Sequence, residues 1–191
     1  MVLTGGRSRR MGFDKASMIV GDRRLAERVV ASLVAGVGGP VVEVGPGLSG
    51  CTHVTREVPE GGGPLAATVA GATMLAELGH RGAVVVLACD LPLVHPAVVR
   101  LLASHPGTGS VVPVVDGHAQ PLCARWSAVD LVAGRDALDR GERSMRPLLD
   151  QPGVVLLDEA AWRSIADADA FADADTPADL DRLGLVWRMG P

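Results

Sequence analysis

Apolar stretches of two kinds alternate along the chain. Residues 41–44, 84–89, 111–115 and 154–157 are short, β-rich and nearly all apolar, the pattern of strands buried on both faces in a parallel sheet. Between them, apolar positions recur at helical spacing. "DRRLAERVVASLVAG" places Leu25, Val29, Leu33 and Val37 four residues apart and predicts a helix that stops at "GVGGP". "PLAATVAGATMLAELG" predicts a second, begun by Pro64 and ended at Gly79. "HPAVVRLLASHPG" and "SAVDLVAGRDALDRG" predict a third and a fourth. "DTPADLDRLG" predicts a last helix, with Thr176 as cap and Pro177 in the first turn.

Strands alternating with helices predict a three-layer α/β domain. "VVPVVDGHAQPLCARW" departs from the alternation: two apolar runs meet at Asp116-Gly117, which predicts a hairpin and one antiparallel strand pair in the sheet. Only residues 1–4 precede the first glycines, so either the first strand is shorter than the usual five or six or so residues or the chain as given begins late. With no repeat, linker or low-complexity segment, residues 1–191 are expected to form a single domain.

Composition narrows the function classes. The chain is 48% apolar and 21% charged, with a net charge of −4, enough apolar surface for a core and no basic block to track a nucleic-acid backbone. Cys51, Cys89 and Cys123 are scattered, with no C-x-x-C pair, as expected of reduced cytoplasmic thiols. No apolar run approaches the ~20 residues of a membrane span, and no leader segment is visible. A cytoplasmic protein is the expectation.

Candidate chemistry gathers in five places. The first is "LTGGRSRRMGFDK", where a short strand runs into glycines, Arg7, Arg9, Arg10 and Lys15, the sole lysine of the chain. Glycine lets backbone approach a ligand, successive N–H groups form an anion nest, and arginine and lysine grip phosphate. A triphosphate cradle and an ordinary glycine turn with solvated arginines both fit; neither a P-loop nor a dinucleotide fingerprint is present. The second is Asp90, at the end of "VVVLACDLPLV". A carboxylate beyond a strand's carboxyl end is either a Mg²⁺ ligand or a helix cap. In "PEGGGPLAA", the glycines up to Gly63 could bring backbone to a base or ribose, and Glu57 or Glu60 could accept from a base edge; a flexible connection is the alternative. In "FADADTPADL", Asp173 and Asp175 alternate, so both face one way, either to share a metal with Asp90 or to cap a helix. In "GERSMRPLLD", Arg143 and Arg146 are placed on one side of a helical turn, to bind phosphate or to be solvated. His80, His95 and His105 read as helix-end residues and Cys89 as core.

Taken in order, "LTGGRSRRMGFDKA", "EVPEGGGPLAA", "ACDLPLV", "QPLCARW", "GERSMRPLL" and "DTPADL" closely resemble the motifs of molybdenum cofactor guanylyltransferases, the MobA-type nucleotidyltransferases, over nearly the whole chain. The resemblance implies a Rossmann-like nucleotidyltransferase fold with a mixed, mostly parallel central sheet. It implies GTP and molybdopterin as substrates, Mg²⁺ as cofactor, and contact with other proteins that make or receive the cofactor. Leu3, Thr4, Gly5 and Gly6 match the nucleotide-contacting backbone, Lys15 the phosphate lysine and Asp90 the metal aspartate. Arg10 would assist Lys15. Glu57 falls where the family often has aspartate near the guanine, and Asp173 and Asp175 where some members have asparagine. Arg143, Arg146 and the 116–126 hairpin are expected on the pterin side. The alternatives are a cytidylyltransferase for the same or another phosphorylated acceptor, and a nucleotide-binding module without catalysis.

Overall fold

The computed structural model describes residues 1–5 and 15–190, Lys15 by its backbone alone. Its elements are, in order, β1 (Val2–Leu3), a 3-10 turn over Lys15–Ser17, β2 (Ile19–Val20), β3 (Arg23–Arg24), α1 (Leu25–Gly36), β4 (Val42–Val44) and β5 (His53–Thr55). Next come α2 (Gly63–Glu77), β6 (Val84–Ala88), α3 (Pro96–Ser104), β7 (Val111–Val115), β8 (His118–Ala119), β9 (Cys123–Trp126) and α4 (Ala128–Asp139). The chain continues through α5 (Arg146–Leu149), β10 (Val155–Leu157), α6 (Glu159–Trp162), a second 3-10 turn over Ala168–Phe171, α7 (Pro177–Arg182) and β11 (Trp187–Arg188).

The main sheet runs β10-β7-β9-β6-β1-β4-β5, with β8 added on β7. β10 on β7, and β6, β1, β4 and β5 among themselves, are parallel; β9 is antiparallel to both β6 and β7. This is the mixed, mostly parallel sheet that the family resemblance implies. Period-2 side chains feed two cores. On one face, α1 and α3 bury Val29, Leu33, Val98 and Leu102 against Val2, Leu87 and Val111. On the other, α2, α4 and α5 bury Leu65, Leu75, Leu131 and Leu148 against Leu3, Val44, Val86 and Trp126. Each such fully buried aliphatic side chain contributes about 1.5–3 kcal/mol.

The Asp116-Gly117 hairpin forms as expected. Both residues take positive φ, 48° and 77°, and β7 returns as β8 through Val115↔His118. His95 and His105 flank α3 as its caps, and the Thr176 hydroxyl accepts from the Asp179 N–H to open α7. Several elements have no counterpart in the pattern reading, α6 and the second 3-10 turn among them. β5 is a polar strand on the sheet's edge. A small second sheet, β11-β2-β3, joins the hairpin that follows the Lys15 turn to the C-terminal strand.

Candidate functional site

In a sheet of this kind a ligand lies beyond the carboxyl ends of the parallel strands. At that edge β1 ends in Leu3, Thr4 and Gly5. The Leu3 carbonyl accepts from the Cys89 N–H, and the Thr4 and Gly5 N–H groups both donate to the Val44 carbonyl, at 2.9 and 3.0 Å. The rim is thus pinned from both neighbouring strands. Gly45 lies so close that a Cβ there would overlap the Thr4 hydroxyl and come within 2.6 Å of the Gly5 nitrogen.

Glu57 stands beside this rim. It is buried, its Oε1 accepts from the Gly61 N–H at 3.2 Å, and a Cβ built on Gly5 would lie 3.2 Å from its Oε2. Glu60 is exposed, so of the two glutamates considered for a base edge, Glu57 is the one against Gly5. The next residues carry the N-terminus of α2. Gly63 has φ +86°, and a Cβ there would meet the Arg143 carbonyl oxygen at 2.9 Å. That carbonyl accepts from the Leu65 N–H, and a Cβ on Gly62 would lie 3.2 Å from Arg143 Nη1. Glycines are needed here because another chain segment occupies the space of a side chain.

Arg143 and Arg146 do not share a helical face. α5 begins only at Arg146, which reaches Asp150 at 3.4 Å in solvent, whereas Arg143 lies over the glycine loop. The spacing alone did not show where the helix starts.

Asp90 follows β6 at the other side of β1. Its carbonyl accepts from the Ala174 N–H at 2.8 Å, which sets the irregular segment of Asp173 and Asp175 beside it. Buried Ala174 separates exposed Asp173 from half-buried Asp175. This segment arrives by a long return from the sheet's edge: Trp162 is fully buried, donates to the Val114 carbonyl at 3.2 Å and packs on Phe171 at 4.8 Å. Among the described residues, no three His, Cys, Asp or Glu side chains converge as a ready-made metal group. The expected trio of Asp90, Asp173 and Asp175 is therefore not a preformed cage. An oxygen-donor carboxylate at a strand end still suits Mg²⁺, which takes one or two carboxylates and completes its shell from water and phosphates. Gly6, Arg10 and the side chain of Lys15 lie outside the described residues.

One residue of consequence escaped the sequence reading. Glu43, in the middle of β4, is fully buried. It accepts from the Gly47, Leu48 and Ser49 N–H groups at 2.8–2.9 Å, and from the Ser49 and Thr4 hydroxyls at 2.5 Å. Burial works to raise its pKa, but the hydrogen bonds from Ser49, Thr4 and the loop backbone together hold it below the ordinary value. Glu43 thereby fastens the helix-free crossover from β4 to β5 onto the sheet. Its only sequence signal is an acid inside an apolar strand. Cys123 is buried core, its thiol pushed up to about 12 by burial, which fits a structural and not a nucleophilic cysteine.

A cavity of about 910 Å³ opens at the opposite edge of the sheet, lined by Met1, Val85, Arg100 and Arg125, away from Glu57 and Asp90. The charged and glycine-rich groups gather at the carboxyl edge instead.

Pinned backbone, a glycine-rich helix start and carboxylates thus gather at the parallel strand ends, the edge where an α/β sheet of this kind takes a ligand. Residues 1–155 match the model of the MobA-like NTP transferase domain, and the chain belongs to that family. It is 31% identical over 204 residues to a "probable molybdenum cofactor guanylyltransferase" of Pelotomaculum thermopropionicum, covering 98% of this chain and 96% of the relative. A protein of the same name from Mycolicibacterium paratuberculosis is 35% identical over 198 residues, covering 96% and 93%. Among solved structures, molybdopterin-guanine dinucleotide biosynthesis protein A from Archaeoglobus fulgidus superposes with a TM-score of 0.75 at 26% identity, over 95% of this chain and 94% of that one. A 2-C-methyl-D-erythritol 4-phosphate cytidylyltransferase from Thermus thermophilus shares the fold, with a TM-score of 0.62 at 19% identity, over 95% of this chain and 94% of that one.

Proposed function

We propose that this chain transfers GMP from GTP to the phosphate of molybdopterin, giving the guanine dinucleotide form of the cofactor and pyrophosphate. The observation that carries this reading is the placement of Glu57 against Gly5. Among the described residues, Glu57 Oε2 has no hydrogen-bond partner and faces the rim of β1. A carboxylate is an acceptor only, and guanine offers it two adjacent donors, N1–H and the N2 amino group. Cytosine offers a single amino group, so the acceptor suits guanine better. The relatives' names point the same way.

In the proposed reaction a phosphate oxygen of molybdopterin attacks the α-phosphorus of GTP in line. A new P–O bond forms, the bond to the α–β bridging oxygen breaks, and pyrophosphate leaves with the electron pair. The nucleophile is already anionic, so no strong base is required, and catalysis is positioning plus charge neutralisation. Lys15, assisted by Arg10, would stabilise charge on the α-phosphate and the leaving pyrophosphate. A compact ammonium can follow charge that moves, where a planar guanidinium is a fixed fork. Asp90, with Asp175 or Asp173 from the adjoining segment, would hold Mg²⁺, which supplies Lewis-acid neutralisation of the nucleotide phosphates. Leu3, Thr4, Gly5, Gly6 and Gly63 would bound the nucleoside, and Arg143 with the 116–126 hairpin the pterin.

Pyrophosphate release, measured with the purified chain, molybdopterin, Mg²⁺ and each of the four nucleoside triphosphates, tests the reading. Release with GTP is expected. Preference for CTP would make the chain a cytidylyltransferase, and no release with any nucleotide would make it a binding module.

A further inference from the structure

The family model matches residues 1–155, yet the site does not end there. Residues beyond it touch both halves of the proposed catalytic machinery. The Ala174 N–H bonds the Asp90 carbonyl, and β11 pairs with β2, two residues after the Lys15–Ser17 turn.

Buried Ala16 ties that turn to the main core, but the hairpin that follows it is short. β2 and β3 are two residues each, and an isolated hairpin of this size is not stable in water. β11 supplies the missing strand through Trp187↔Val20 and Arg188↔Ile19, and the Gly21 N–H donates to the Val186 carbonyl at 2.7 Å. A separate small core seals the junction: Met18, Val20, Leu25, Ala174 and Leu180, flanked by Leu185 and Trp187. Trp187 is oriented by its indole N–H, which donates to Asp181 Oδ1 at 2.9 Å. Past β11, Gly190 lies flat on the turn. A Cβ there would overlap the Ser17 carbonyl oxygen and come within 3.1 Å of its carbon. Only a residue without a side chain permits this approach, and the atoms it would displace belong to backbone two residues from Lys15.

We propose that residues 185–190 are a positioning clamp for Lys15, with Gly190 its contact point, fixing the lysine turn relative to Asp90 through one continuous C-terminal segment. The proposal rests on the guanylyltransferase reading above. In that reading a small displacement of the ammonium costs rate and leaves GTP binding largely intact, because the nucleoside contacts are elsewhere.

The test substitutes Gly190→Val. The expected result is a fall in kcat of about tenfold to a hundredfold, with the KM for GTP moving less than about threefold. A second readout uses the sole lysine: by mass spectrometry, GTP should slow acetylation of Lys15 in the wild-type chain and protect it less in the variant. If Gly190→Val loses its cooperative melting transition, Gly190→Ala takes its place under the same criteria. A folded variant with the wild-type kcat and wild-type protection of Lys15 overturns the clamp. Failure of the wild-type chain itself to transfer GMP overturns the underlying reading instead, so the two failures are distinct.

Discussion

The hydroxyl of Thr4, on the rim of the site, donates at 2.5 Å to the carboxylate of Glu43, which is buried in the middle of the neighbouring strand. Through this bond the crossover loop of residues 47–49 and the rim of β1 share one anchor. Glu43→Ala would strand three N–H groups and two hydroxyls. The expected loss is about 3 kcal/mol or more of stability, or a fall in melting temperature of roughly 6–12 °C. Differential scanning calorimetry measures it.

The same residue makes a pH prediction. Its folded pKa is below the ordinary 4.5, so the unfolded chain binds the extra proton first as pH falls. Glu43 therefore contributes stability above pH 4.5 that is lost as pH drops through its depressed folded value. Melting curves of Glu43→Gln should show a shallower acid slope in that window than the wild-type chain, from a lower starting stability.

Lys15→Ala and Asp90→Ala should each lower the rate of GMP transfer by about 10²- to 10³-fold, the usual effect of removing one preorganised charge. Lys15→Arg should also fall well below wild type. Single-turnover pyrophosphate release reads all three, with circular dichroism as the fold control. Full activity in Lys15→Arg would remove the reason for an ammonium at that position.

Glu57→Gln replaces a two-oxygen acceptor by one oxygen and one donor. The KM for GTP should rise about tenfold or more, the value of a hydrogen bond to a charged group. Turnover with CTP should change little. Equal effects on both nucleotides would place Glu57 away from the base.

Arg143→Ala should raise the KM for the pterin acceptor and leave that for GTP unchanged. Arg146→Ala should change neither, because its guanidinium is committed to Asp150 at the surface, where such pairs are worth little. Steady-state kinetics with each substrate varied in turn separates the two arginines.

The long elements were legible because their own residues specify them. Buried strands such as 84–88 are nearly all apolar, and α1 and α3 carry an apolar stripe bounded by glycine or proline. The tight hairpin at Asp116-Gly117 was legible because few residues tolerate two successive positive φ angles. The small sheet was not: its strands are two residues long and exist through a partner more than 160 positions away, a relation that no local period records. Glu43 was hidden for a similar reason. The donors that make a buried acid tolerable come from a loop and a strand that only the fold brings together. Motif order indicated Asp90 and Glu57; the contact between Arg143 and the glycine loop needed coordinates.

The reversed strand β9 leaves one last consequence. It splits the sheet into a purely parallel half, β6-β1-β4-β5, and a half beyond β9 built from β7 and β10. The β7–β8–β9 connection is held to the edge near Asp90 by the Ala88 N–H on the Leu122 carbonyl. On the proposed reading, nucleotide and acceptor meet along that seam, each served by its own portion of chain. Divergence within residues 116–122 could then redirect the acceptor while the nucleotide half stayed unaltered, so one scaffold can change what it modifies without relearning what it spends.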